Sequence, residues 1–285
     1  MPSVREGLHK FRPATKRKPK DKVIRHFPVQ AATTGERRMI SREKYSTFTN
    51  RSGLVLQQLA PNVWAADRPF IWNRIDVGGR MAVLKLSDGS IWVHSPVQLD
   101  DDLAAALGEL GEVKHIVSPN YEHTKYAKQW IERYPQARSY ACPGLKEKEP
   151  QVPYTTELGG GGGEPPEWLG EVQSTWLSYE HNPFNGNPFF NEVVFFFKPA
   201  KMLITSDLFW NYPNQAPGGT KLWKFGMDRV YLPFYRRFMI SDKGEYDEAT
   251  GRIFKEWDFD AILPCHGDFV PSNGKEILRK HLKFP

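Results

Sequence analysis

The sequence has only two cysteines, Cys142 and Cys265, in 285 residues, and it contains no long hydrophobic run. Two cysteines cannot build the disulfide framework of a small secreted domain, and the N-terminal region lacks the apolar segment of a signal peptide. The longest strongly apolar stretch, Val193–Phe197, is far shorter than the roughly 20 residues that a membrane-spanning helix needs. We therefore expect a soluble intracellular protein in a reducing compartment, in the first instance the cytoplasm.

Acidic residues are scarce in the first 53 residues, which contain fourteen Lys or Arg and only four Asp or Glu. This segment carries a net charge of +10, so the rest of the chain is slightly acidic within a total of +6. High net charge with few large apolar residues predicts a solvated, flexible arm. Two alternatives stay open. One is contact with a polyanion, either nucleic acid or acidic lipid, and the other is an organelle-targeting peptide.

Beyond this arm, the composition predicts one large domain. Hydrophobic residues make up 40% of the chain and aromatic residues 13%, which is enough for a substantial core. We assign residues 1–53 to a basic flexible extension and residues 54–285 to a single domain. A run of five glycines at 159–163 lacks the Lys-Ser/Thr of a phosphate-binding loop, so it is more typical of a flexible surface loop.

Strand signals open the domain, and alternating elements follow. Residues 82–86 and 91–94 are apolar enough for two strands, and the Asp-Gly pair between them favours a tight hairpin turn. Three acids at 100–102 are favoured at the N-terminus of a helix, which we predict to continue to Leu110. A second helix is predicted over residues 124–134, with Trp130 on its inner face.

Polar side chains that can bind metals stand where three short apolar strands are predicted to end. Glu122 and His123 follow one such strand, Asp207 follows a second, and His266 follows a third. Two carboxylates and two imidazoles suit Zn²⁺, with Mn²⁺ or Fe²⁺ as alternatives, because geometry and availability rather than donor type separate these metals. The sequence therefore predicts a metal site at these strand ends.

Structural explanations compete with metal binding at each position. Glu122 and His123 would cap the helix that is predicted to begin beside them, Asp207 would accept N–H groups of its own loop, and His266 would be a hydrogen-bonded core histidine. Neighbouring residues of a strand point to opposite faces. Cys265 is therefore not expected to act with His266 as a nucleophilic pair.

The segment Ser118-Pro-Asn-Tyr-Glu-His123 resembles the first metal motif of the metallo-β-lactamase superfamily, His-x-His-x-Asp-His. Glu122 and His123 match the last pair of the motif, with Glu in place of Asp. Ser118 and Asn120 replace the first two histidines. In the superfamily these two histidines and a third from a later loop hold one metal ion, and we find no match for that third histidine around residues 185–191.

The resemblance extends to the second metal ion of the superfamily, which the Asp-His pair shares with a later Asp and a final His. Asp207 and His266 match these last two positions. The resemblance thus implies that one metal site is lost and the other is retained. It implies one divalent ion, with Zn²⁺ first and Mn²⁺ or Fe²⁺ as alternatives, held by Glu122, His123, Asp207 and His266.

A closer resemblance is to a branch of that superfamily described as a domain of unknown function and found in plants, algae and cyanobacteria. The segments that carry it are Leu59-Ala-Pro-Asn-Val-Trp-Ala65, Gly79-Arg-Met-Ala-Val-Leu-Lys-Leu-Ser-Asp-Gly89, Trp92-Val-His-Ser-Pro96, Leu110-Gly-Glu-Val-Lys-His-Ile-Val-Ser-Pro-Asn120, Asn191-Glu-Val-Val-Phe-Phe196 and Leu203-Ile-Thr-Ser-Asp-Leu208. The resemblance implies a four-layer αββα sandwich of the α/β class. It implies no particular activity.

Three functions are compatible with a half-retained metal site. A single bound metal would allow an atypical hydrolase of an ester, a thioester or a phosphodiester. Loss of the second site instead favours a non-catalytic binding or scaffold protein, and four protein ligands also resemble a closed structural metal site. An iron-dependent oxidoreductase is the third interpretation. The sequence identifies neither a small-molecule substrate nor an oligomeric state.

Overall fold

The computed structural model describes residues 44–159 and 164–284, which contain both strands and helices. In chain order the strands are β1 (Gln57–Ala60), β2 (Val63–Arg68), β3 (Ile71–Trp72), β4 (Ile75–Asp76), β5 (Gly79–Lys85), β6 (Ile91–His94), β7 (Val113–Ser118), β8 (Arg138–Ala141), β9 (Thr156–Glu157), β10 (Val172–Trp176), β11 (Val193–Phe197), β12 (Met202–Asn211) and β13 (Ala261–Gly267).

The same described residues contain seven α-helices: α1 (Asp101–Leu110), α2 (Ala127–Arg133), α3 (Leu145–Lys148), α4 (Gly218–Gly226), α5 (Leu232–Phe234), α6 (Lys243–Gly251) and α7 (Gly274–Leu282). The π-helical turn Met227–Tyr231 joins α4 to α5, and a second one, Tyr235–Met239, extends α5. Together they form one helical segment, residues 218–239, which we call the outer helix. A third π-helical turn, Arg252–Glu256, extends α6, and short 3₁₀ turns lie at Pro166–Trp168 and Lys198–Ala200. Within the described residues, no helix is long and apolar enough to cross a membrane.

The larger sheet has the strand order β1-β2-β5-β6-β7-β8-β9. Its first four strands are antiparallel, and the hairpin predicted between residues 86 and 91 is confirmed: β5 pairs with β6, and Gly89 has a φ of 85°. From β6 onward the strands run parallel because α1 and α2 provide the crossovers. The predicted helix after residue 100 is also confirmed, since Asp100 accepts the N–H of Leu103 as its N-cap.

The smaller sheet has the order β10-β11-β12-β13, with β12 and β13 parallel. Trp92 on β6 meets Phe195 on β11 edge to face, with ring centroids 5.2 Å apart, so the two sheets pack face to face. α1 and α2 pack against the larger sheet, where Trp130 is buried as predicted. α6 and α7 cover the smaller sheet. The fold is the predicted αββα sandwich.

The predicted basic arm lies almost entirely outside the described residues, as do residues 160–163 of the glycine run. The last part of the assigned extension, residues 44–53, is described. Tyr45 is buried there, and its hydroxyl donates to Asp100 at 3.0 Å and to Asp102 at 2.5 Å. Residues 44–53 thus contact the domain. The division at residue 53 and the contact with a polyanion stay predictions.

Glu180 is a buried carboxyl group in the connection between β10 and β11. Its Oε2 accepts the N–H groups of Phe190 and Asn191, both at 3.2 Å, whereas its Oε1 has no hydrogen-bond partner in the described chain. Burial raises the pKa of Glu180 from its ordinary value of 4.5 to about 8. The folded protein therefore holds this proton more tightly than the unfolded chain does.

We expect this proton to make stability depend on pH. The stability that the protonated Glu180 contributes to the fold is fully present below pH 4.5 and is lost as pH rises through about 8. The variant Glu180→Gln should then have a higher free energy of unfolding than the wild type at pH 8, by roughly 4 kcal/mol, but not at pH 4.5. Urea titrations at both pH values measure the difference, and Glu248→Gln on the exposed side of α6 is the control. If Glu180→Gln and the wild type differed in free energy of unfolding by the same amount at both pH values, Glu180 would not be the group with the raised pKa.

Candidate metal centre

Three of the four predicted metal ligands meet at one point in the structure. His123 comes from the turn after β7, Asp207 from the middle of β12 and His266 from the end of β13. Nε2 of His123 lies 3.4 Å from Oδ2 of Asp207, and Nε2 of His266 lies 3.5 Å from Oδ1. One ligand atom from each residue lies within 4.8 Å of the other two. The carboxylate stands between the two imidazoles.

The local structure around Asp207 differs from the sequence prediction. Asp207 was expected in a loop after a strand, but β12 continues past it to Asn211, and His266 lies inside β13. The ladder between β12 and β13 is interrupted instead, because its register shifts between Thr205 and Trp210. This irregularity, rather than a strand end, lets Asp207 turn toward the two histidines.

Glu192 satisfies the backbone where the ladder is interrupted. Its buried carboxyl group accepts the N–H groups of Ser206, Asp207 and Leu208 at 2.6, 2.8 and 2.7 Å. Buried N–H groups need such partners, and β13 cannot supply them at this point. Glu192 therefore fixes the backbone that carries Asp207.

Each histidine is oriented through its other ring nitrogen. Nδ1 of His123 lies 2.5 Å from Oγ of Ser95, and Nδ1 of His266 lies 2.7 Å from the carbonyl oxygen of Gly78. Gly78 has a φ of +64°, and a Cβ at this position would meet the ring of Phe48 at 2.8 Å. Metal-binding histidines commonly hold their second nitrogen in this way, which directs the first toward the metal. Both Nε2 atoms here face Asp207.

The two positions that correspond to lost histidines have other hydrogen-bond partners. Nδ2 of Asn120 donates to Oδ2 of Asp207 at 2.6 Å, and its Oδ1 accepts the N–H groups of Glu122 and His123. Ser118 is buried and accepts a hydrogen bond from the hydroxyl of Tyr154 at 2.8 Å. Asn120 thus shapes the turn of His123 and holds Asp207, while Ser118 points its hydroxyl into the core.

Glu122 is the predicted ligand that the structure does not bring into the close group. Its half-buried side chain lines a cleft beside His123, together with Phe70, Ser95 and Lys125. Burial, and next the charge of Asp207, raises the pKa of the Glu122 carboxyl. Neither Glu122 nor His123 caps a helix, because α2 begins at Ala127 without a side-chain cap.

A thiol lies near His123, which the sequence does not predict. Cys265 is buried, its Sγ lies 3.8 Å from Nδ1 of His94, and it also interacts with His123. Cys265 does not pair with His266, as expected from their places on one strand. The contacts with His94 and His123 join residues that are far apart in sequence, and only the folding of β6 beside the turn of His123 reveals them.

The charged groups of the close group shift one another's pKa values. Burial alone would raise the pKa of Asp207, but His123 and His266 hold that pKa well below its ordinary value. Burial alone would lower the pKa of His123, whereas Cys265 and Asp207 raise it well above the ordinary range. In the protein alone, these pKa shifts favour a protonated His123 beside an ionised Asp207.

The donor set fits a divalent metal ion. Two imidazole nitrogens and one carboxylate oxygen are a common set of ligands for catalytic zinc. Ser95 and Gly78 contact the second ring nitrogen of His123 and of His266, and Asn120 donates to the carboxylate of Asp207. The same set also suits Fe²⁺ or Mn²⁺. Such a set leaves a coordination position open, unlike a closed structural site.

The comparisons with known proteins agree with this fold. The mono-zinc form of the metallo-β-lactamase FIM-1 from Pseudomonas aeruginosa is 12% identical, with a TM-score of 0.54 over 81% of this chain and 96% of that one. A metallo-β-lactamase from Hirschia baltica is 11% identical, with a TM-score of 0.54 over 80% and 95% of the two chains. One from Pontibacter korlensis is 10% identical, with a TM-score of 0.53 over 81% and 99%.

At these identities the likeness is one of fold. No curated protein sequence matches this chain. A family model described as a domain of unknown function (DUF4336) matches residues 61–229, which is more than half of the chain. This match includes His123 and Asp207 but ends before His266. The chain therefore belongs to the family of the domain of unknown function DUF4336 and has the metallo-β-lactamase fold.

Proposed function

We propose that this protein is a hydrolase that works with a single divalent metal ion, Zn²⁺ in the first instance. The observation that carries the proposal is the orientation of His123 and His266: each has its Nδ1 held by an oxygen and its Nε2 turned to the same carboxylate, Asp207. Packing alone does not require this arrangement of two imidazoles, whereas a metal ion does.

The ion would supply Lewis acidity and an activated water for attack on an ester, a thioester or a phosphodiester. His123, Asp207 and His266 would hold it, and Asn120 would keep Asp207 from turning away. The cleft beside His123 would receive the substrate, and the cation of Lys125 at its edge favours a substrate with negative charge. Ser118, turned toward Tyr154, would not take part.

Glu122 has two possible roles in this proposal. As a fourth ligand it would close the site, and as a proton carrier it would serve the reaction from the cleft. The direction of its pKa shift suits the second role, because a carboxyl group whose pKa is raised gives and takes a proton more readily during turnover than an ordinary one. In Glu122→Gln, loss of bound metal would identify a ligand, while retained metal with lower turnover would identify a proton carrier.

A binding or scaffold function is the second candidate, and one observation favours it. The positions of two lost histidines are occupied by Asn120 and Ser118, whose side chains are engaged with Asp207 and Tyr154. A second ion that polarises the substrate would therefore have no ligands there. Loss of such an interaction costs on the order of 3 kcal/mol, about a hundredfold in rate. Turnover should then be slow rather than absent.

An activity measurement separates the two candidates. We expect the zinc-loaded chain to hydrolyse at least one member of a panel of activated esters, thioesters and phosphodiesters, and we expect a chelator to abolish this. His266→Ala should lose the activity, whereas His181→Ala, at a half-buried histidine outside the metal centre that contacts Ser241, should keep it. If the metal-loaded chain hydrolyses nothing in the panel, the binding function is supported instead.

A further inference from the structure

The outer helix exposes large apolar side chains on the face that does not pack on the domain. Leu222, Phe225, Val230 and Phe238 are 69%, 61%, 68% and 54% exposed. On the opposite face Leu232, Tyr235 and Met239 are buried in the second core. A helix that is apolar on both faces is typical of an element covered on both faces. A partner is therefore expected on the outer one.

A neighbouring loop adds to this surface. Phe184 is 87% exposed, and its N–H donates to Oδ1 of Asn182, which forms a tight turn that presents the ring outward. The ring lies parallel to Phe234, with centroids 6.2 Å apart, and Phe234 contacts Phe238 at 5.2 Å. The loop and the outer helix thus form one aromatic surface.

The charge of this surface is of one sign. Every exposed charged residue between residues 217 and 240 is basic: Lys221, Arg229 and Arg237. None of the three forms an ion pair with another described residue. The one acid in the segment, Asp228, is partly buried and binds Lys224 and the indole of Trp210. Cations therefore alternate with the exposed apolar side chains.

We propose that this face of the outer helix, together with Phe184, docks on the surface of a lipid bilayer that contains anionic headgroups. Aromatic and aliphatic side chains enter the boundary between headgroups and acyl chains, and Lys or Arg beside them bind the headgroup phosphates. This interaction is separate from hydrolysis, because none of the residues in the face belongs to the metal centre.

Other partners fit the surface less well. Pairing with a second copy through a two-fold axis would bring the same unpaired cations together, which is unfavourable. Nucleic acid would attract the cations, but Leu222 and Val230 are aliphatic and cannot stack on bases as aromatic side chains do. A bilayer offers acyl chains to the aliphatic side chains and anionic headgroups to the cations.

The test is sedimentation of the full chain with vesicles of phosphatidylcholine, alone or mixed with an equal amount of phosphatidylserine. We expect binding to the mixed vesicles only. The triple variant Leu222→Ser, Phe225→Ser, Phe238→Ser should weaken this binding by about tenfold or more, because each substitution removes apolar surface that enters the membrane. These side chains are exposed, so the variant should fold, and Phe184→Ser alone should give a smaller loss in the same direction.

A matched control replaces exposed apolar residues elsewhere: Leu54→Ser, Leu169→Ser and Ile277→Ser. All variants keep residues 1–53, so any attraction of the basic extension for the vesicles is common to them. The proposal is overturned if the triple variant binds the vesicles as the wild type does, or if the control loses binding equally. It is also overturned if the triple variant instead abolishes a dimer or the binding of RNA that the wild type shows.

Discussion

The variant Asp207→Ala should bind Zn²⁺ at least about a hundredfold more weakly than the wild type. Loss of a residue that merely supports a ligand already costs 10–100-fold in affinity, so loss of a ligand should lie at or beyond the upper end. Asp207 is the one carboxylate of the close group, and its pKa is held far below the ordinary value by His123 and His266. The ion would lose both a donor and its nearest negative charge.

Competition with a chromophoric chelator measures this affinity. Asp258→Ala is the matched control, because Asp258 also pairs with a cation, Lys201, but does so on the protein surface. The control should bind Zn²⁺ as the wild type does. Equal affinity of Asp207→Ala and the wild type would mean that Asp207 serves only to hold the irregular backbone of β12.

The variant Arg80→Met should lower the free energy of unfolding by about 3–5 kcal/mol, the usual cost of breaking a buried ion pair from one side. Arg80 and Asp67 are almost fully buried and lie 2.9 Å apart. Arg80 also donates to the carbonyl oxygens of Pro264 and Gly267, at 3.2 and 2.6 Å. These two residues flank His266, so the variant should also bind metal more weakly.

The variant Arg138→Met tests whether burial of the ion pair causes the loss of stability expected for Arg80→Met. Arg138 and Glu167 also lie 2.9 Å apart, but the arginine side chain is 64% exposed rather than 4%. An exposed pair contributes no more than about 1 kcal/mol because water screens it. Urea denaturation of both variants gives the comparison. Equal losses from Arg80→Met and Arg138→Met would contradict the conclusion that the buried Arg80 stabilises the end of β13, which carries His266.

The fold could be predicted because its signals are local in sequence. The turn with Gly89, the acids at the start of α1 and the buried Trp130 of α2 each depend on residues within a few positions of one another. The resemblance to the superfamily then supplied the arrangement of these elements. Alternation of apolar residues alone would not have distinguished the sandwich from other α/β folds.

The candidate site could be predicted only in part. His123, Asp207 and His266 are identifiable by type and order, but their supporting contacts come from Ser95 and Gly78, far away in the chain. The interruption of the ladder beside Asp207 was not predictable, because it depends on the register of two strands that lie more than 50 residues apart. Glu192 carried a weak signal as an acid at the start of an apolar strand.

Glu122 illustrates how a matching residue type can mislead. Its position in the sequence motif is that of a ligand, yet its carboxylate lies outside the close group formed by His123, Asp207 and His266. The backbone N–H groups of Glu122 and His123 both point to Asn120, which fixes the turn, while the longer side chain of Glu122 extends into the cleft. Its role as a ligand stays a prediction.

The zinc content of the full chain is the most direct test of the metal centre. The protein would be prepared without an affinity tag or a chelator, dialysed against Zn²⁺ and then against buffer alone, and analysed for metal per chain. We expect one ion per chain, because His123, Asp207 and His266 provide one set of ligands and Ser118 and Asn120 provide no second. Retention of no ion, or of two tightly bound ions, would contradict a single-metal centre.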